Sequence, residues 1–157
     1  MGIDFNADEV FEIAEQIERN GSKFYRSVAE KVTETDKKQL LMSLAEMEDE
    51  HEQTFKNLRS QLSTDEKIQT TFDPEGESER YLRALADTRI FYEKEVDTSS
   101  IKEVLKSAIT AEKDSIVFYL GIKEVVPAHL GKEKLDDIIK EEMDHITLLS
   151  KELVQLK

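Results

Sequence analysis

The two ends of this chain repeat each other at a fixed offset of 94 residues without a gap, and that repeat constrains the fold more than any other feature. Glu18 answers to Glu112, Glu48 to Glu142 and His51 to His145. Ala14/Ala108, Phe24/Phe118, Tyr25/Tyr119, Glu30/Glu124, Val32/Val126 and Leu41/Leu135 keep the same spacing. The helix starts correspond as well. Asn6-x-x-Glu9 and Ser100-x-x-Glu103 both read as capping boxes, in which a side-chain oxygen and a Glu satisfy each other's unpaired amides. A chain of 157 residues is one domain's worth, so residues 1–157 are expected to form a single domain from two similar units.

Each unit reads as a helical hairpin. With only 5 Gly and 2 Pro, 36% charged residues and no run of β-branched residues bounded by turn signals, the composition predicts an all-α chain of long helices and few connections. The helices are expected at about 7–32, 36–62, 100–126 and 132–156. Gly21 interrupts the first only mildly, Pro127 ends the third, and Gly131 marks the turn before the fourth. Residues 63–99 are too long for a simple turn. Their first part, "STDEKIQTTFDPEGES", reads as loop. Their second contains Tyr81, Leu82, Leu85, Ala86, Ile90, Phe91 and Tyr92 and predicts a short helix, lying across the bundle or against a second subunit. Two hairpins joined by one long crossover give a four-helix bundle of ferritin-like topology.

Alternating steps of three and four pick out the buried seam of each helix. The first helix gives Phe11, Ala14, Glu18, Gly21, Tyr25, Val28 and Val32, and the third gives Leu105, Ala108, Glu112, Ser115, Tyr119, Ile122 and Val126. The second gives Leu41, Leu44, Glu48, His51, Phe55, Leu58 and Leu62; the fourth gives Leu135, Ile138, Glu142, His145, Leu149 and, with drift, Leu153 and Leu156. Every seam is apolar except at its middle, where the strongly polar side chains are four Glu and two His.

Four ionised carboxylates facing one another in an apolar core would cost several kcal/mol each if unpaired. No Arg or Lys occupies a seam position, so the compensating charge must come from outside the chain. Two divalent cations would supply it. Residues at i and i+3 share a helix face one turn apart, so Glu48 and His51 can reach one ion together, and Glu142 and His145 repeat the arrangement. Glu18 and Glu112 can each bridge the ions or close the site from the facing helices. Oxygen and imidazole ligands suit iron or manganese. Iron is the first choice, with manganese or zinc as alternatives.

These residues resemble the rubrerythrin family of ferritin-like di-iron proteins. Glu18, Glu48-x-x-His51, Glu112 and Glu142-x-x-His145 correspond one by one to that family's core ligands, and the Phe-Tyr pairs at 24–25 and 118–119 are similar too. The resemblance implies two-electron chemistry at a di-iron centre. Hydrogen peroxide or dioxygen would be reduced with electrons from an external donor such as a rubredoxin, in protection against oxidative stress, by a homodimer. Two departures stand out. Rubrerythrins proper carry a further Glu one turn after the third-helix ligand, used when an iron moves on oxidation, and here that place is Ser115. They also carry a rubredoxin domain with four Cys, whereas these 157 residues contain none. A ferroxidase or iron-handling protein with the same ligands, and a metal-free structural bundle, are the alternative readings.

Three residues beside the seams are candidates for supporting roles. Tyr25 and Tyr119 lie two turns from the seam glutamates and can hydrogen-bond a carboxylate across the bundle or simply pack. Glu141 can orient the His51 imidazole, although its counterpart in the repeat is Met47. His129 reads as a surface residue.

The net charge of -13 would repel a phosphate backbone, and no Lys/Arg stripe offsets it, so nucleic acid is excluded as a partner. No apolar stretch approaches the roughly 20 residues needed to span a bilayer, and the N-terminus has neither a basic start nor an apolar signal core. A cytoplasmic location is expected, which the lack of Cys fits.

Overall fold

The computed structural model describes residues 7–64, 80, 84, 99–126 and 129–156. Among them the regular structure is all-α: α1 spans Ala7–Lys31, α2 Thr35–Ser60, α3 Ile101–Val125 and α4 Lys132–Gln155. The helix bounds expected from sequence hold to within two residues at each end. The Asn6 capping box and the crossover helix lie outside the described residues.

Local chemistry sets the ends. The Ser100 side chain accepts a hydrogen bond from the Glu103 backbone N–H at 3.3 Å and caps α3. Val126 leaves the helix with φ -81 and ψ 148, the extended conformation that a following proline imposes on its neighbour. Gly131 opens α4 at φ 79, a left-handed backbone. A Cβ there would also stand 2.8 Å from Leu58 Cδ2, so this turn needs glycine for both backbone and space.

α1 packs against α2 and α3 against α4, two hairpins that meet along the seams. The seam positions from Phe11 to Val28, Leu41 to Leu62, Leu105 to Val126 and Leu135 to Leu149 are all buried, while Val32, Leu153 and Leu156 are partly so. The apolar core falls into two clusters. One gathers Phe11, Phe55, Leu58, Phe118, Tyr119, Ile122, Leu135 and Ile138. The other gathers Tyr25, Val28, Leu41, Leu44, Val104, Leu105, Ala108 and Leu149. Glu18, Glu48, His51, Glu112, Glu142 and His145, all buried, lie between them in sequence on their helices.

The same clusters fix the topology. The C-terminal end of α2 belongs to the first and the N-terminal end of α3 to the second, so α2 and α3 run parallel. The connection between them therefore joins opposite ends of a bundle roughly 37 Å long, as the ferritin-like topology requires.

Charged pairs tie α1 to α2 outside the core. Arg59 donates to Asp8 Oδ1 at 2.8 Å and to Glu15 Oε2 at 2.9 Å, and Arg19 and Arg26 reach Glu52 and Asp49. The Arg59 pairing explains why Glu15 can be buried.

The αL turn gives a direct test of this packing. Gly131→Ala should lower stability by about 2 kcal/mol, from a left-handed alanine and its clash with Leu58, as a fall in the urea midpoint at unchanged slope.

Candidate metal centre

The layer between the two apolar clusters is built by one residue or pair from each helix. α1 contributes Glu18, α2 Glu48 and His51, α3 Glu112, and α4 Glu142 and His145, and all six are 2% exposed or less. Their donor atoms fall into two groups, each drawn together within 4.8 Å: Glu18, Glu48, His51 and Glu142 in one, and Glu48, Glu112, Glu142 and His145 in the other. Glu48 and Glu142 belong to both. Glu18 falls in the first group alone and Glu112 in the second alone.

The hydrogen bonds explain this division. Tyr25 on α1 donates its hydroxyl to Glu112 Oε1 on α3 at 2.5 Å, and Tyr119 on α3 donates to Glu18 Oε1 on α1. Each of these two glutamates thus has one oxygen occupied and the other, Oε2, without a hydrogen-bond partner. Both oxygens of Glu48 and both of Glu142 lack one. Glu18 and Glu112 thus offer one free oxygen each, and Glu48 and Glu142 two.

The imidazoles complete the groups. His51 Nδ1 lies 2.8 Å from Glu142 Oε1 and 3.4 Å from Glu18 Oε2. His145 Nδ1 lies 3.3 Å from Glu48 Oε1 and 3.4 Å from Glu112 Oε1. Neither Nδ1 has a hydrogen-bond partner of good geometry, so these are ionic contacts around a common centre. The two rings stack with centroids 5.8 Å apart. Glu141, half-exposed, reaches His51 Nε2 at 2.5 Å.

So many orphaned buried donor atoms are rare, since buried polar groups are normally paired. Four carboxylates and two imidazoles, with the free atoms converging on two points, fit two divalent cations. No described Lys or Arg enters the layer.

Without cations, protons carry the compensating charge. Burial, reinforced by Glu18 and Glu142, pushes the Glu48 carboxyl well above its usual range, and burial with Glu18 and Glu112 pushes Glu142 up to about 8. Burial would lower the His51 pKa, but Glu142 and Glu18 outweigh it and raise it to about 11; Glu112 and Glu142 likewise raise His145 to about 9 against burial. At Glu112 burial pulls upward, yet the neighbouring Glu142 and His145 and the Tyr25 hydroxyl hold the carboxyl below its ordinary value. Protons on Glu48, Glu142, His51 and His145 amount to the charge of two divalent ions.

Sequence reasoning passed over the role of one residue here. Gly21 follows Glu18 by three residues on the α1 seam, and a Cβ at that position would lie 3.1 Å from Glu48 Oε2. It clears space for a carboxylate of both groups. A glycine in mid-helix, in the seam beside a charged residue, was the available signal. At its counterpart in the repeat, the Ser115 hydroxyl bonds to the Ala111 carbonyl of its own helix at 2.9 Å. His129 is exposed, as expected.

Comparison with known proteins agrees with this centre. The rubrerythrin family profile matches residues 4–96, more than half of the chain, and the chain belongs to that family. The structure is also similar to the crystal structure of a ferritin-like diiron-carboxylate protein from Thermotoga maritima, with a TM-score of 0.73 and 25% identity over 98% of this chain and 97% of that one. No curated protein matches the sequence. The second hairpin lies beyond the family match, and its ties to the family are the internal repeat and the full-length structural likeness.

Two outcomes follow from the site. The unfolded chain would release its histidine protons near 6.5, whereas the folded metal-free chain keeps them to about 11 and 9 and keeps Glu142 protonated to about 8. The native state thus binds more protons, and metal-free stability should fall progressively as pH rises from about 4.5 to about 11. Divalent ions displace those protons, so the ion-saturated chain should instead gain stability as pH rises, in melts run with and without chelator. Separately, Gly21→Ala should stabilise the metal-free helix by about 0.5–1 kcal/mol while its Cβ displaces Glu48 and weakens ion binding, a split that calorimetry and melting would reveal together.

Proposed function

We propose that this chain is a di-iron oxidoreductase that reduces hydrogen peroxide, or dioxygen, with electrons from an external donor, and so protects against oxidative damage. The observation that carries the reading is the pair of overlapping, buried ligand groups centred on Glu48 and Glu142.

Two irons, when bound, would each supply one electron, enough with two protons to reduce peroxide to two waters. The chain's own residues account for the rest. Glu48 and Glu142 would serve both ions, Glu18 and Glu112 would each serve one, and His51 and His145 would add one neutral nitrogen each. Tyr25 and Tyr119 fix Glu112 and Glu18 by occupying one oxygen of each, leaving the other aimed inward. Tyr25, Leu44, Ala108 and Leu149 on one side and Phe55 and Tyr119 on the other exclude bulk water. Where family members carry a further carboxylate this chain has Ser115, whose hydroxyl is engaged with its own helix, so ligand exchange through that position is lost.

The family likeness supports a separate electron donor, for which a rubredoxin is suited, and a homodimer, and we place the protein in the cytoplasm. These 157 residues contain no Cys with which to bind a rubredoxin-type iron themselves. Among the described residues, no helix is long and apolar enough to cross a membrane.

An anaerobic Fe(II) titration tests the ligand assignment. Two equivalents should bind tightly to the chain. Glu48→Ala and Glu142→Ala should lose both, because each residue serves both groups, whereas Glu18→Ala or Glu112→Ala should retain one. Stopped-flow oxidation of the loaded protein should be faster with peroxide than with dioxygen. Equal rates, or turnover of many iron equivalents without a donor, would instead favour a ferroxidase.

A further inference from the structure

The internal repeat makes the two halves of the centre nearly equivalent, and one contact makes their histidines unequal. His51 Nε2 meets the Glu141 carboxylate at 2.5 Å, while His145 Nε2, fully buried, has no hydrogen-bond partner among the described residues. The residue that Glu141 matches at the repeat offset is Met47, whose thioether is at best a weak acceptor.

Resting on the reading that the six residues hold two ions, we infer that the two positions are unequal and fill in order, the His51 side first, with Glu141 as the positioning residue that sets the order. A carboxylate accepting the outer ring N–H fixes the imidazole's orientation and tautomer, leaves Nδ1 as the metal donor, and increases its basicity. His51 Nδ1 already faces Glu18 and Glu142, the partners of its group. His145 faces its own partners from Nδ1 as well, but none of the described residues hydrogen-bonds its far side. The two groups share Glu48 and Glu142 and each adds one tyrosine-anchored glutamate, so their remaining ligands balance. The outer partner of the histidine is what differs.

Glu141 does not belong to either ligand group, and its side chain is 47% exposed, so it can be replaced without opening the core. Calorimetric titration of the metal-free, full-length chain with Co(II) provides the test. The unsubstituted protein should take up two ions in resolved steps. Glu141→Ala should weaken the first step about tenfold or more, the usual cost of removing such a partner, and leave the second unchanged. Met47→Gln, which offers an acceptor on the opposite side, should tighten the second step. In the Co(II)-loaded protein, Glu141→Ala should also abolish one slowly exchanging, paramagnetically shifted imidazole N–H signal.

Two ions bound with affinities that Glu141→Ala moves together, or not at all, would overturn the ordered filling and leave the two-ion site standing. No stoichiometric Co(II), Fe(II) or Mn(II) binding by the unsubstituted chain would overturn both.

Discussion

Four carboxylates at the centre of a helical bundle are the constraint around which this structure is arranged. Ionised and unpaired, each would cost several kcal/mol, and no cationic side chain of the described residues enters the layer to offset them. The fold tolerates the layer because apolar clusters above and below supply the packing, and because the layer recruits positive charge from solution. The charge is borrowed either as protons or as metal. That exchange links the site's occupancy to the stability of the whole bundle, since every helix contributes at least one of the groups concerned.

Symmetry and its breaking share the work in this layer. The crossed tyrosine bonds and the paired E-x-x-H glutamates follow the repeat faithfully. Gly21 opposite Ser115, and Glu141 opposite Met47, do not. The departures lie off the ligand set, at positions that shape the space around a carboxylate or the far side of an imidazole. A duplicated scaffold can therefore keep its ligands fixed and still distinguish its two ions.

Much of this was legible in the sequence, for identifiable reasons. Polar residues at the strict three-and-four spacing of a buried seam cannot be hidden by helix rotation, so all six central residues, and the apolar positions flanking them, could be read directly. Helix ends were located to within two residues because Ser100, Pro127 and Gly131 are local signals. Which glutamates belong to both groups was not legible, because it depends on rotamers and on which oxygen a tyrosine occupies. Glu141 was visible only as a candidate, because its contact with His51 crosses from α4 to α2 and depends on how those helices are rotated. Arg59's grip on Asp8 and Glu15 also escaped, since its counterpart in the repeat is Leu153 and no periodicity marks it.

The crossed bonds of Tyr25 and Tyr119 carry a consequence for assembly. Each tyrosine anchors a carboxylate on the opposite hairpin, and each ligand group combines side chains from both hairpins. Neither hairpin holds a complete site or completes its own hydrogen bonds. The chain behaves as a dimer written into one polypeptide, with its cofactor site lying on the dimer seam. Metal capture is thus a report that the two halves have docked in register, since misdocking by one helical turn would carry the carboxylates of one hairpin out of the layer formed by the other.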